Sequence, residues 1–515
     1  MRNLAAVLDG TAGLAGVQWL LVGQGPRAAL RATLANLLGK TKLQGSCRLR
    51  RTRFQPGHKL TAYYDVHFRL EGSHTPVTRA IAVTWKAKWI ERRDHRPYGK
   101  PRAASLEAEA QRRGLMAPFR AFRADVPEWG MRLELSPIDP KFPQLVRLCD
   151  PKYVGEVLAK VLHRDSNAPE CAPLSRYAVA SIRYFPGIRH VLRYRPASAG
   201  NGAVFAKLYA GENGARVHRV TMSAASWVEA HGRNMTCLRP LAQIAGDKAL
   251  LYPQVAGAPL SKRLRRGSRD VGRLLEASGG ALNTLQQAPL ESCLPPAVKA
   301  GDFETQLAEI VQAGECIGTL LPSVRSTIRQ MMDDALAIHA RLPQEPPRLI
   351  HGDFKPEHVW QNGSSLTVID LDLSRPADPA LDLGKFLGDL PRWCDGIRGG
   401  GLNAARERFL AGYARGIPPE RLLRAHLYEA VELINVAARW LPLSDPGWAS
   451  RTERLVGQAR AVIDGLQVRL GVRSARKPSS DFLDTAGTME GPELSAGARG
   501  RHTQEEDSTN ARRAN

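Results

Sequence analysis

Between Ser181 and Tyr209 apolar and polar positions run in short strand-like segments. Ile182-Arg183-Tyr184 leads into the turn signal Pro186-Gly187, Val191-Leu192-Arg193-Tyr194 follows, and after a loop at Asn201-Gly202 comes the apolar run Val204 to Tyr209. A helix is predicted from about Ala215 to His231. Val217, Val220, Ala224, Trp227 and Val228 fall on one side of it, and Gly232 stops it. Ala249 to Val255 reads as a further apolar strand. Beyond Ala258 the texture becomes helical: Phe303 to Leu342 and Leu422 to Leu470 carry apolar residues every three or four positions, broken by Pro322 in the first and by Pro442 and Pro446 in the second. Between these helices, Leu349-Ile350-His351-Gly352-Asp353 and Leu366-Thr367-Val368-Ile369-Asp370 are short β-rich runs, each ending in a carboxylate.

This patterning divides the chain into a strand-rich small lobe over 171–257 and a helical large lobe over 258–473. A tail over 474–515, rich in Ser, Gly, Thr, Glu and Arg without apolar period, is predicted to be disordered. Residues 1–170 form a separate α+β region. Within it Arg53-Phe54-Gln55-Pro56-Gly57 resembles Arg183-Tyr184-Phe185-Pro186-Gly187, and Tyr64 stands to Tyr194 at the same offset of 130. A second apolar run, Ala80 to Trp85, ends in Lys86. Two readings fit: a degenerate repeat of the small lobe, or two unrelated hairpins that share a Pro-Gly turn.

A chain of 515 residues, 43% hydrophobic and 24% charged, is globular and large enough for several units. Its net charge of +23 favours anionic partners, nucleotides and nucleic acid among them, without specifying a site. The basic stretches Arg48 to Arg53 and Lys86 to Arg102 carry no nucleic-acid motif, so a nucleic-acid role is not expected. Seven scattered cysteines with no Cys-x-x-Cys pair argue against a disulfide framework or structural zinc. No signal-like start and no apolar run of membrane-spanning length stand out, so a soluble cytoplasmic protein without membrane contact is expected. Gly39-Lys40-Thr41 looks like the end of a phosphate loop, but Leu34 stands where such a loop needs glycine. No Gly-x-Ser-x-Gly elbow occurs, which leaves a serine hydrolase without support.

The chemistry concentrates in His351-Gly352-Asp353-Phe354-Lys355-Pro356-Glu357-His358. A carboxylate on a tight loop after a strand can take the proton of an attacking hydroxyl. Lys355 can offset charge on a transferring phosphate, and His358, five positions past Asp353, can hold a metal. Seventeen residues after Asp353, Asp370 ends an apolar strand, where a divalent cation on ATP would make its charge favourable. Upstream, Lys207 sits inside the apolar strand Phe205 to Tyr209, a costly place unless an anion meets it. The Pro186-Gly187 turn could cover nucleotide phosphates. Gln254 and Val255, in the link from small to large lobe, would present backbone groups to the adenine.

On these residues the segment from about Ser181 to Leu390, and on to Gly471, resembles the phosphotransferase enzyme family that includes aminoglycoside phosphotransferases and choline kinase-like enzymes. His351-Gly352-Asp353 with His358 is similar to its catalytic loop, Val368-Ile369-Asp370-Leu371-Asp372 to its metal loop, and Ala377 to Gly384 to the acidic segment whose later Asp braces the catalytic loop. The resemblance implies an α+β, bilobal protein-kinase-like fold preceded by the extra N-terminal region. It implies Asp353 as catalytic base, Lys355 on the γ-phosphate, Asp370 as principal Mg²⁺ ligand and Lys207 as the ATP-phosphate lysine. The acceptor would be a hydroxyl of a small molecule, aminoglycoside-, sugar- or choline-like.

Three departures bear on that reading. His358 replaces the usual Asn, and Mg²⁺ prefers oxygen. Asp372 stands where protein kinases have glycine, either as a further ligand or facing solvent. No acid sits at the middle of the helix that should pair with Lys207; Glu229 is late in that helix and Glu212 precedes it. These departures support the alternative of a nucleotide-binding pseudokinase with a regulatory or scaffold role, while the retention of both Asp353 and Asp370 favours catalysis.

Overall fold

The computed structural model describes residues 3–38, 47–69, 76–86, 89, 101–162, 177–196, 202–295, 298, 300–394, 401–414 and 416–472. The predicted disordered tail, Asn201 and most of the basic stretch between Lys86 and Arg102 lie outside the described residues. The fold is α+β: a strand-rich small lobe on a helical large lobe, with an α+β region before them.

The N-terminal region opens with helices Leu4–Asp9, Gly13–Val22 and Gln24–Leu38, then builds five strands: β1 (Arg48–Gln55), β2 (Lys59–Arg69), β3 (Pro76–Trp85), β4 (Arg123–Val126) and β5 (Met131–Leu135). They pair in the order β1-β2-β3-β5-β4, all antiparallel. The small lobe follows with β6 (Tyr177–Phe185), β7 (Arg189–Pro196), β8 (Val204–Leu208), the helix Asn213–His231, β9 (Met235–Cys237), β10 (Ala242–Ile244) and β11 (Ala249–Pro253). Its sheet runs β10-β11-β8-β7-β6, the same order strand for strand.

The likeness extends to the turns. Gly57 and Gly187 both take positive φ, 70° and 73°, which a Pro-Gly hairpin needs and glycine adopts without strain. The first cross-strand partners are Gln55 with Lys59 and Phe185 with Arg189. The register shows how the two hairpins align. His190 pairs with Leu208 and Val191 with Lys207, while Leu60 pairs with Trp85 and Thr61 with Thr84. Thr84, not Lys86, therefore occupies the position of Lys207.

The two sheets share a core. Tyr63, Ala82, Phe142, Leu145 and Leu158 from the N-terminal region pack with Tyr184, Leu192, Tyr194, Ala206 and Leu251 of the small lobe. The N-terminal helices also touch the large lobe: Gln18 Nε2 donates to the Asp445 carbonyl at 2.9 Å, and a Cβ on Gly10 would meet the Thr319 methyl.

In the large lobe, β12 (Ala258–Pro259), β13 (Arg348–Ile350), β14 (Val359–Asn362), β15 (Ser365–Val368) and β16 (Arg375–Ala377) are short ribbons among helices. The order β12-β14-β15-β9 takes one small-lobe strand into the large lobe, with Thr236 beside Thr367. The helices include Val271–Gln286, Phe303–Leu320, Arg325–His339, Ala380–Asp389, Pro419–Arg439 and Trp448–Arg469. Pro322 begins a short 3-10 turn between the helices Phe303–Leu320 and Arg325–His339, as a proline that cannot continue a helix should. No helix among the described residues is long and apolar enough to cross a membrane.

Candidate active site

β13 is buried at Leu349 and Ile350 and leads directly into His351-Gly352-Asp353. Gly352 has φ 79°, and a Cβ there would lie 2.4 Å from the Leu373 carbonyl oxygen, so only glycine lets the two loops approach. Asp382, on the helix Ala380–Asp389 and almost wholly buried, accepts the His351 N–H at 2.6 Å on Oδ2 and the Gly352 N–H at 2.8 Å on Oδ1. His351 Nδ1 accepts from the Asp353 N–H at 3.2 Å, which leaves Nε2–H to donate to the Ile369 carbonyl at 2.9 Å. One histidine thus ties the Asp353 loop to the segment just past β15 that carries Ile369 and Asp370.

Asp353 meets Lys355 Nζ at 2.8 Å, Lys385 Nζ at 3.6 Å and His358 Nδ1 at 3.6 Å. Burial opposes its charge, but His358, Lys355 and Lys385 outweigh that and bring its pKa down to about 2. Lys385 also pairs with buried Glu432, and despite burial its pKa is raised by Glu432 and Asp353. His358 is buried, and desolvation brings its pKa down to about 3, so the ring is neutral at physiological pH. Its Nδ1 lies 2.9 Å from the Asp353 carbonyl, which assigns the proton to Nδ1 and leaves the Nε2 lone pair 3.5 Å from Asp370 Oδ2.

Asp370 has φ 72°, a left-handed conformation that Asp tolerates better than most residues. Its Oδ1 meets Lys207 Nζ at 2.5 Å, and Arg189 Nη2 lies 3.1 Å from Oδ1 and 2.9 Å from Oδ2. Burial works against the charge; Lys207 and Arg189 hold the carboxyl well below its ordinary range. Lys207 Nζ also reaches Asp372 Oδ2 at 2.6 Å, and the Tyr209 hydroxyl donates to Asp372 Oδ1 at 2.9 Å. Buried Lys207 therefore pairs with Asp370 and Asp372, in the loop that follows β15. Neither helix candidate reaches it: Glu229 binds Arg239 and Thr236, and Glu212 lies 3.2 Å from Lys248. That helix contributes a cation instead, Arg216, which donates to the carbonyls of Asp372 at 2.5 Å and Ser374 at 2.8 Å.

The Pro186-Gly187 turn is held by the N-terminal region. Asp139 Oδ2 accepts the Gly187 N–H at 2.6 Å and a His190 Nε2 bond at 2.7 Å, and Lys141 Nζ donates to the Gly187 carbonyl at 3.0 Å. The turn thus leans toward that region, while the next strand residue but one, Arg189, reaches Asp370. Gln254 and Val255 follow β11 in the link between lobes; Gln254 Oε1 accepts the Ala203 N–H at 3.2 Å.

The structure joins Asp353, Lys355, His358, Asp370 and Lys207 in one connected cluster, and among the described residues no hydrogen bond or ion pair ties Pro186, Gly187, Gln254 or Val255 to it. Reading the sequence missed Arg189 and Lys385. The signal for Lys385 was present: Asp382, Lys385 and Asp389 recur at helical spacing on one buried face. Among the described residues no group of three or more His, Cys, Asp or Glu is placed to hold a metal. Asp370 Oδ2 and His358 Nε2 form a two-donor site, a carboxylate and a neutral imidazole. That fits a divalent cation whose other ligands come from nucleotide phosphates and water.

Residues 194–423 match the model of the phosphotransferase enzyme family. No curated protein matches the chain in sequence. Among solved structures, a choline/ethanolamine kinase family protein from Mesorhizobium loti is similar at 16% identity and TM-score 0.40, over 60% of this chain and 95% of that one. Choline kinase from Cryptosporidium parvum Iowa II is similar at 10% identity and TM-score 0.42, over 63% and 98%. A spectinomycin phosphotransferase solved with ADP and spectinomycin is similar at 15% identity and TM-score 0.38, over 56% and 93%.

Proposed function

We propose that the protein moves the γ-phosphoryl group of Mg·ATP to a hydroxyl of a small molecule. The observation that carries this reading is the meeting of Asp353, Asp370 and Lys207 around His358, within the segment that matches the family. Asp353, with a pKa of about 2, is a weak base; its first task is to orient the acceptor hydroxyl through a hydrogen bond. In a loose transfer the nucleophile loses its proton late, so orientation matters more than basicity. Lys355, already beside Asp353, offsets charge on the phosphoryl group as it moves. Lys207 and Arg189 rest on Asp370 and Asp372; nucleotide phosphates give both cations a second anion and free the Asp370 oxygens. Asp370 and His358 would hold Mg²⁺, which supplies charge neutralisation on the phosphates.

A second reading is a nucleotide-binding protein without turnover. It is favoured by Arg189, which engages both oxygens of Asp370 and could stand in for a metal. The like strand order of the two five-stranded sheets supports taking residues 1–170 as a degenerate small-lobe copy, one that lacks the lysine at Thr84.

Titration calorimetry with Mg·ATP, on wild type and Lys207→Ala, tests the shared premise. The first should bind and the second should bind at least about tenfold more weakly. A wild-type protein that fails to bind nucleotide contradicts both readings.

A further inference from the structure

Beside the Asp353 loop lies a group of cations of which only Lys355 serves the transferring phosphoryl group. Three elements converge on the half-buried Trp440 at the end of the helix Pro419–Arg439. Lys355 Nζ sits 4.5 Å from a ring centroid of the indole, the Arg392 guanidinium 4.8 Å and the Arg51 guanidinium 5.0 Å. Arg51 comes from β1 of the N-terminal region and also lies 5.6 Å from the Phe185 ring. Arg183, on β6, is near enough to Arg51 for their charges to oppose each other, and it also feels Arg189, Asp370, Glu357 and Asp353.

The charges of this group do not balance. Lys355 is taken by Asp353, at 2.8 Å, and Arg392 by Asp389, at 2.8 Å, with Glu357 4.0 Å and 3.8 Å away. Arg51 and Arg183 have no carboxylate partner among the described residues. Burial and the positive field of Arg183, with Arg53 and Arg439 adding to it, make the charge of Arg51 unfavourable as it stands. An indole face attracts a cation but supplies no counter-charge. A planar, five-donor guanidinium beside a second one suits a phosphate or carboxylate. The nucleotide phosphates have their own cations, Lys207 and Arg189, at Asp370. The unbalanced group flanks Asp353, the side from which the acceptor hydroxyl must come.

Resting on the phosphotransferase reading, we infer that the acceptor is an alcohol bearing a phosphate or carboxylate group, gripped by Arg51, Arg183 and Arg392 against Trp440 while its hydroxyl meets Asp353. The N-terminal region thereby supplies part of the acceptor site through Arg51. A cationic acceptor of the choline or aminoglycoside kind would be repelled there.

The test is titration calorimetry on the full chain saturated with Mg²⁺ and the β,γ-imido analogue of ATP. The probes are sn-glycerol 3-phosphate and D-glycerate against glycerol, choline and kanamycin. At least one anionic probe should bind at least tenfold more tightly than all three others, and Arg51→Gln and Arg392→Gln should each remove at least tenfold of that preference. Unfolding midpoints are measured for both variants, so that one failing to fold leaves the other to decide. Tighter binding of choline or kanamycin overturns the inference and leaves the phosphotransferase reading standing, as does binding of neither anionic probe. Anion binding that ignores both substitutions overturns it as well. Failure of the nucleotide analogue to bind removes the phosphotransferase reading and this inference with it.

Discussion

Replacing Asp382 by Asn probes how the base loop is held. The carboxylate takes the His351 and Gly352 amides on separate oxygens, and Gln286 Nε2 adds a bond to Oδ2 at 3.2 Å. An asparagine keeps one acceptor oxygen and turns an NH₂ toward the other loop amide, donor against donor. A hydrogen bond to a charged acceptor is worth roughly 1.5–3 kcal/mol, and an unsatisfied buried donor costs a further 1–3 kcal/mol or so. Against this, burial raises the pKa of Asp382, so removing its charge recovers part of the desolvation cost. The balance is a loss of about 2 kcal/mol in stability, read as a shift of the urea unfolding midpoint without change of slope. The rate should fall further than the stability suggests, because a displacement of the loop by about 1 Å moves Asp353 and costs on the order of a hundredfold. Basal Mg·ATP hydrolysis, with water as acceptor, reads this directly. An Asp382→Asn protein with both unfolding midpoint and hydrolysis unchanged would refute the idea that these two bonds fix the loop.

Gly352→Ala should place a methyl 2.4 Å from the Leu373 carbonyl in a left-handed conformation, which alone costs an alanine about 1 kcal/mol; thermal unfolding should show a clear loss, and retained wild-type hydrolysis would contradict the close approach of the two loops. Asp139→Asn should loosen the Pro186-Gly187 turn: Oδ2 takes both the Gly187 and the His190 bond and Oδ1 the Lys141 N–H at 2.9 Å, so the amide must turn its NH₂ against a donor on one side and the remaining bonds lose their charge, worth roughly 1.5–3 kcal/mol; protection of the Gly187 amide from hydrogen exchange should fall while that of the Gly352 amide is kept. For Glu345, burial raises the pKa, but the bonds from Arg421 and Arg424 prevail and hold it below 4.5. A depressed carboxyl pKa stabilises the fold above the unfolded value and ceases to as pH drops through the folded one. The stability gap between wild type and Glu345→Gln should therefore be present at pH 7 and shrink below about pH 4.5, measured by denaturant unfolding at each pH.

The residues that were legible in the sequence are those whose local chemistry is unusual. A lysine inside Val204 to Tyr209, a glycine before a carboxylate at Gly352-Asp353 and an acid ending Leu366 to Ile369 each break the pattern around them, and the structure brings Lys207, Asp353 and Asp370 together. What stayed hidden depends on distant pairings. Asp372 and Lys207 are far apart along the chain, so their bond could not be inferred, and the search for a helix acid led to Glu229 and Glu212, which bind elsewhere. Arg189 reads as an ordinary strand residue until the hairpin turns it onto Asp370. The Pro-Gly turns hinted at two like hairpins, but only the strand register could show that Thr84 stands opposite Thr61 as Lys207 stands opposite Val191. The three cations at Trp440 come from three separate stretches of chain, and no local period joins them.

Phosphoryl transfer to an acceptor can be read by phosphorus NMR of purified protein incubated with Mg·ATP and the acceptor panel, beside Asp353→Asn. In wild type a new phosphomonoester signal should grow with ADP, and in the variant it should be reduced by at least about a hundredfold, with nucleotide affinity and unfolding midpoint little changed. Phosphoryl transfer that survives intact in Asp353→Asn, or a wild type that binds Mg·ATP and yields no phosphomonoester with any acceptor, would contradict the proposed mechanism.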